Sequence, residues 1–214
     1  MKILILGGGA FGTAIGSQLA YNSLNEIYLF QRSSSRHEEL VNDHTNHAYF
    51  PNKKLNASLK STIDYKTIND FTVIMIALPT KFIEAELEKI KPYIRKDALI
   101  VNLSKGILKK SKTIVELICD VLSTNNVITL KGASFASEMV DSAPTLLTLG
   151  YEYKEQYNII TNIIKKTNIY IDYTTDIRGV ELLSALKNIY AIFLGYVDGQ
   201  YNSANTRFMI LTKC

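Results

Sequence analysis

The first residues that could carry chemistry form a glycine-rich turn near the N-terminus. Gly7, Gly9 and Gly12 make the pattern G-x-G-x-x-G directly after a predicted apolar strand over 2–6. In that pattern the first glycine allows a tight turn, the second lets the backbone touch a pyrophosphate, and the third lets the helix pack on the strand. The free N–H groups and positive end of the helix dipole then hold the anion. The strand–turn–helix context favours a dinucleotide site over a glycine-rich turn without a ligand.

The end of the second predicted strand, over 26–31, indicates which dinucleotide would bind. NAD-specific domains place an acidic residue there to bind the ribose 2′-hydroxyl. This chain has Arg32 followed by serines. A guanidinium beside hydroxyl groups suits a 2′-phosphate, whereas a carboxylate would repel it. NADP is therefore favoured and NAD remains an alternative, as does an Arg32 that simply faces solvent.

Three further segments supply groups suited to an oxygen-rich substrate. Lys105 follows a predicted strand over 98–103, at the carboxyl edge where open parallel sheets bind ligands. Gly132 and Ser134 follow a strand near 127–130, where small residues and a hydroxyl let a substrate approach. Taken singly, Lys105 is also consistent with a loop lysine that faces solvent. The segment with Gly132 and Ser134 is also consistent with an ordinary capped helix start.

Lys187 lies in an apolar segment over 179–199 that predicts a buried helix. A lysine on such a helix needs a partner or gives up its proton more easily, which suits exchange with a carbonyl or alcohol oxygen. The alternative is a lysine whose ammonium reaches solvent along an apolar stem. A polar or small seam runs down the same helix, and we expect it to face something other than ordinary core. Its members are Glu181, Ser184, Asn188, Ala191, Gly195 and Asp198.

Strand and helix patterns alternate from residue 1 to about 176, which predicts an α/β fold. We expect a Rossmann-type, doubly wound parallel sheet, followed by the start of an all-helical second domain. The predicted division is a dinucleotide-binding domain over 1–178 and an incomplete helical substrate domain over 179–214.

Composition excludes several other classes of protein. The 214 residues carry a net charge of +4 without a basic block, so no nucleic-acid partner is expected. Apolar runs such as 73–78 are too short to span a bilayer, so we expect no membrane insertion. Cys119 and Cys214 form neither a disulfide framework nor a zinc motif, which favours a reducing, cytoplasmic location. The three histidines, at 37, 44 and 47, lack carboxylate or cysteine support, so no metal site is predicted.

Five segments together resemble one family. They are 7–14 (GGGAFGTA), 46–51 (NHAYFP), 104–107 (SKGI), 132–136 (GASFA) and 179–188 (GVELLSALKN). Their order and spacing are similar to those of the bacterial NAD(P)-dependent glycerol-3-phosphate dehydrogenases, over the whole chain. The resemblance implies reversible hydride transfer between a nicotinamide and dihydroxyacetone phosphate. The product, sn-glycerol 3-phosphate, is a precursor of phospholipids.

The resemblance also implies roles for individual residues. The residues expected to contact the cofactor are Ala10, Phe11, Arg32, Tyr49, Lys105 and Ala136, besides the glycines of the turn. The residues expected to contact the substrate are Lys105, Gly132, Ser134 and Lys187. Lys187 is the expected catalytic, proton-transferring residue.

The chain departs from the family pattern in two respects. Ala133 replaces the usual proline, and the later helices whose Asp and Gly-Arg-Asn stretch bind the substrate phosphate do not follow. Residues 205–214 indicate a helix without a stop signal, so we expect a truncated chain whose apolar helix drives homo-oligomer formation. Two alternatives stay open: a catalytically inactive dinucleotide-binding remnant, and a related 3-hydroxy-acid dehydrogenase.

Overall fold

The computed structural model describes residues 1–132 and 134–212, which form eight strands and eight α-helices. The strands are β1 (Lys2–Leu6), β2 (Glu26–Phe30), β3 (Lys60–Thr62), β4 (Val73–Ile76), β5 (Leu99–Asn102), β6 (Val127–Lys131), β7 (Thr145–Gly150) and β8 (Ile169–Thr174). The helices are α1 (Ala10–Leu19), α2 (Ser34–Asp43), α3 (Thr80–Ile90), α4 (Ile114–Leu122), α5 (Ala136–Val140), α6 (Lys154–Ile164), α7 (Ile177–Tyr201) and α8 (Ala204–Leu211).

The eight strands form one sheet in the order β3-β2-β1-β4-β5-β6-β7-β8. Successive residues of β1 point to opposite faces. Ile3 and Ile5 pack with α1, α5 and α6, whereas Leu4 and Leu6 pack with α3 and α4. Because helices cover both faces, the central strands are buried almost throughout and consist of continuous apolar residues. The predicted doubly wound, Rossmann-type sheet is confirmed.

One feature of the sheet differs from the prediction of parallel strands throughout. β7 runs antiparallel to β6, with Thr129 opposite Gly150, and β8 is parallel to β7. The element between β6 and β7 is α5, whose five residues span only about 7.5 Å. That is too short to carry the chain back along the sheet, as a parallel crossover must. The chain therefore turns at the carboxyl edge and returns as β7.

The second correction concerns α7, which is not the buried helix that its composition predicted. Among its 25 residues, the buried ones are Val180, Glu181, Ser184 and Val197. Ile192 is 75% exposed. The first turns of α7 pack on β6 and β7, and α8 packs farther along, held in part by the Arg207–Asp198 ion pair at 2.8 Å. Apolar periodicity reports which residues could be buried, but not whether a neighbouring element covers them.

Within the described residues, α7 is also the one helix long and apolar enough to cross a bilayer. A single helix of this kind is weak evidence, because helices of soluble proteins share its length and composition. The absence of membrane insertion and the domain boundary at residue 179 stay predictions.

Candidate active site

The glycine turn between β1 and α1 has the shape that a pyrophosphate requires. Gly7 has φ +121°, and a Cβ there would overlap the carbonyl oxygen of Ala77. A Cβ at Gly12 would overlap the carbonyl oxygen of Gly7, so α1 packs tightly on the turn. Gly9 faces open space and precedes α1 as its N-cap without a side-chain hydrogen bond, which leaves the first N–H groups of the helix to a ligand. These residues fit the diphosphate of a dinucleotide.

A cavity of about 370 Å³ extends from this turn along the carboxyl ends of β1, β2 and β4. Arg32 and Tyr49, both predicted to contact the cofactor, line it. Arg36 and Glu86 line it too, and sequence reasoning missed both. The guanidinium of Arg36 lies 5.5 Å from the ring centroid of Tyr49. Two arginines therefore stand at the end of β2.

The sequence contains only a weak signal for Arg36 and Glu86. Arg36 is one helical turn beyond Arg32, in a predicted helix that starts at the carboxyl edge of the sheet. Glu86 is four positions after Phe82, whose ring centroid lies 5.4 Å from the Arg32 guanidinium. Charged residues on short helices usually face solvent, however, so the pattern alone gave no reason to select them.

The predicted substrate residues meet where β5 and β6 end. The ammonium of Lys105 donates a hydrogen bond to the Gly132 carbonyl oxygen at 3.2 Å. Burial lowers the pKa of Lys105, and the neighbouring Lys187, through its positive charge and a hydrogen bond, lowers it further. Lys187 is only partly buried, and its Nζ lies 5.7 Å from the ring centroid of Phe135. The structure thus brings the two lysines together, close enough for the charge of Lys187 to act on Lys105.

A buried ion pair that sequence reasoning did not identify lies beneath these lysines. Lys131 Nζ and Glu181 Oε1 are 3.1 Å apart, and their side chains are 4% and 1% exposed. Glu181 also accepts hydrogen bonds from the side chains of Asn102 and Thr129 and from the backbone N–H of Ile114. Burial lowers the pKa of Lys131 to about 8, although the Glu181 carboxylate opposes the change. The pair fixes the first turns of α7 to the sheet.

Two small cavities adjoin this network at the predicted substrate position. The first, about 190 Å³, is lined by Lys131, Gly132, Ser184 and Lys187 among others. The second, about 280 Å³, is lined by Gly132 and Ser134. Within the described part of the chain, the hydroxyl oxygens of Ser134 and Ser184 are buried without a hydrogen-bond partner. Buried hydroxyls of this kind are available to a substrate oxygen.

The remaining predicted residues lie at helix starts on the same edge. Ala10 and Phe11 open α1 and Ala136 opens α5; all three pack partly against the core between these helices. None of them lines the 370 Å³ cavity, so their cofactor contacts stay predictions.

Two protein-family models match this chain, one over its N-terminal part and one over its C-terminal part. Residues 2–157 match the family described as NAD-dependent glycerol-3-phosphate dehydrogenase N-terminus, and residues 176–214 match the corresponding C-terminus. The chain belongs to this family. The resemblance inferred from the five sequence segments is thereby confirmed, and the family is one of oxidoreductases.

Individual relatives agree. The NAD(P)+ glycerol-3-phosphate dehydrogenase of Orientia tsutsugamushi is 34% identical over the whole chain, which covers 65% of that relative. That of Bacillus subtilis is 33% identical over 99% of the chain and 63% of the relative. The crystal structure of glycerol-3-phosphate dehydrogenase from Coxiella burnetii superimposes with TM-score 0.84 and 27% identity, covering 99% of this chain and 65% of that one. The chain spans just under two thirds of the length of these relatives.

Proposed function

We propose that this protein reduces dihydroxyacetone phosphate reversibly to sn-glycerol 3-phosphate, with a nicotinamide dinucleotide, in the synthesis of phospholipid precursors. The observation that carries the proposal is the convergence of Lys105 and Lys187 beside Gly132, on the sheet edge that also bears the glycine turn. Family membership and the NAD(P)+ relatives support the same reaction.

The chain's own residues account for the acid–base part of the reaction. The nicotinamide, when bound, supplies the hydride that reaches the ketone carbon. Lys187 donates a proton to the ketone oxygen, and in the reverse direction takes it back from the alcohol. Lys105 places a second positive charge beside that oxygen, where negative charge develops. The Lys131–Glu181 pair holds α7, and therefore Lys187, in place.

NADP is proposed as the preferred dinucleotide. Arg32 stands where NAD-binding domains carry an acidic residue, and Arg36 lines the same cavity. Two guanidinium groups at this position provide donors for a 2′-phosphate dianion and would leave a ribose hydroxyl without comparable attraction.

The experiment is an assay of dihydroxyacetone phosphate-dependent NADPH oxidation by the intact protein and its Lys187 variants. We expect Lys187→Ala to lower kcat by about 10² to 10⁴ while the affinity for NADPH is retained. Lys187→Arg is expected to fail as well, because a guanidinium does not release its proton near neutral pH. Lys154→Ala, which removes an exposed lysine at the start of α6, is the matched control and should keep wild-type kcat.

Wild-type kcat in Lys187→Ala would show that another group transfers the proton. The proposed reaction would be overturned if wild-type protein binds NADPH but does not oxidise it when dihydroxyacetone phosphate is added.

A further inference from the structure

The cofactor cavity contains a carboxylate that the proposed reaction does not use. Glu86, on α3, is only 4% exposed, yet it lines the 370 Å³ cavity beside the apolar side chains of Phe30, Leu78 and Pro79. Burying a carboxylate is costly unless hydrogen bonds compensate it. A carboxylate at the wall of a ligand cavity is therefore a candidate to accept a hydrogen bond from the ligand.

The hydrogen-bond partners of Glu86 within the described residues leave part of its acceptor capacity unused. The Tyr65 hydroxyl donates to Oε1 at 2.7 Å, and the exposed ammonium of Lys89 lies 3.4 Å from Oε2. A carboxylate has about four acceptor positions. Arg32 lines the same cavity, but no ion pair within 4.0 Å joins it to Glu86 in the described residues.

Tyr65 holds the Glu86 side chain in place by a hydrogen bond. Burial raises the pKa of Tyr65 to about 12; the hydrogen bond and charge of Glu86 add to this rise, and the charge of Arg32 opposes it. The phenol thus stays protonated at neutral pH and holds the carboxylate by donation. Oε2 remains the oxygen with only a long contact to a solvent-exposed lysine.

The position of Glu86 identifies the part of the dinucleotide that it would meet. In Rossmann-type domains the end of the second strand binds the adenosine ribose. In this chain Arg32 occupies that end, and its guanidinium stacks on Phe82 of α3. The same cavity is lined by Phe30, Pro79 and Glu86. Apolar side chains with one acceptor suit a flat base whose edge carries a donor.

We propose that Glu86 accepts a hydrogen bond from the 6-amino group of adenine and selects adenine over 6-oxo purines in the dinucleotide. The 6-amino group is a donor, whereas the oxygen at that position of hypoxanthine is an acceptor that a carboxylate repels. The inference rests on the proposed dinucleotide function and adds a residue that determines base specificity.

The test compares reduced nicotinamide adenine dinucleotide phosphate with its hypoxanthine analogue. Each is titrated into the intact protein, and the dihydronicotinamide fluorescence gives the dissociation constant. Wild-type protein should bind the adenine form at least tenfold more tightly. Glu86→Gln keeps the shape and the Tyr65 contact, but its amide can donate to a 6-oxo group, so the preference should fall to within about threefold. Glu86→Leu should also lose the preference, and Glu88→Gln, an exposed charge change on the same helix, should retain it.

Several results would overturn the assignment. Equal affinity of wild-type protein for the two dinucleotides would do so. So would an unchanged preference in Glu86→Gln, or an equal loss of both ligands in all Glu86 variants, which would mark a purely structural role. Failure of folded wild-type protein to bind either dinucleotide would instead overturn the proposed function, and the assignment with it.

Discussion

Replacing Lys131 by methionine would leave a buried carboxylate without its counter-ion. Met retains the length and apolar stem of Lys, so the substitution removes the charge with little change in packing volume. Glu181, 1% exposed at its side chain, would then keep only the neutral donors of Asn102, Thr129 and Ile114.

The magnitude follows from burial. Breaking a buried ion pair by removing one partner costs about 3 to 5 kcal/mol. Three neutral donors remain on Glu181, and the lowered pKa of Lys131 shows that its own charge is buried at a cost. Both considerations favour the lower end, so we expect Lys131→Met to reduce the free energy of unfolding by about 3 kcal/mol. Typical domain stabilities are about 5 to 15 kcal/mol, so the loss is large but measurable.

Urea unfolding at pH 7 of four proteins measures this directly: wild type, Lys131→Met, Glu181→Gln and the double variant. Removing both charges leaves no uncompensated ion, so the double variant should be more stable than Lys131→Met alone. The coupling energy of the cycle should lie near 2 kcal/mol, within the range for residues in direct contact.

Additive effects, with a coupling energy below about 0.5 kcal/mol, would refute the reasoning. So would a Lys131→Met protein as stable as wild type, because either result would mean that the two side chains do not form a buried ion pair.

Three further predictions follow from named features. The pKa of Lys131, about 8 in the folded chain, lies below the value of about 10.4 in an unfolded chain. Between these pH values the folded state therefore binds fewer protons than the unfolded state. In urea unfolding, the wild type should gain stability relative to Lys131→Met as the pH rises from about 8 to about 10.5. Gly7→Ala would place a side chain at a φ that favours glycine and against the Ala77 carbonyl oxygen. It should lower the free energy of unfolding by more than about 1 to 3 kcal/mol and weaken NADPH binding measured by fluorescence titration. Wild-type stability and wild-type affinity in this variant would contradict the role given to the turn. Ile192 and Phe208 are 75% and 65% exposed, so sedimentation should show self-association of the 214-residue chain that Ile192→Glu or Phe208→Glu weakens, whereas a monomer at every concentration would rule it out.

The fold could be predicted because local patterns determine most of it. The apolar runs at β1, β4 and β5, each followed by a helical pattern, require a covered parallel sheet. Period-two alternation is the same for both strand directions, so the reversal of β7 depended on the length of α5 rather than on its own residues. The apolar composition of α7 indicated a helix suited to burial, and its exposure, on which the expected self-association depends, is set by which elements pack against it.

The site was predictable where chemistry requires a particular residue at a particular turn. Gly7 and Arg32 follow strands at the ligand-binding edge, and their roles could be inferred from that position. Glu86 and Lys131 were missed because a charged side chain in a sequence is normally a solvated one. Their burial results from partners far along the chain, Tyr65 and Glu181, that sequence spacing does not connect.

The measurement that tests the central claim most directly is a titration of NADPH and NADH into wild-type protein and Arg32→Ala. If the cavity binds a phosphorylated nicotinamide dinucleotide, wild-type protein prefers NADPH. Arg32→Ala should then weaken NADPH binding by about 10- to 100-fold, because hydrogen bonds to charged groups contribute about 1.5 to 3 kcal/mol. NADH affinity should change less than about threefold, and Arg95→Ala, at a partly exposed arginine far along the chain from Arg32, should change neither affinity. Equal wild-type affinity for the two dinucleotides, or an Arg32→Ala protein that binds NADPH as tightly as the wild type, would contradict the account.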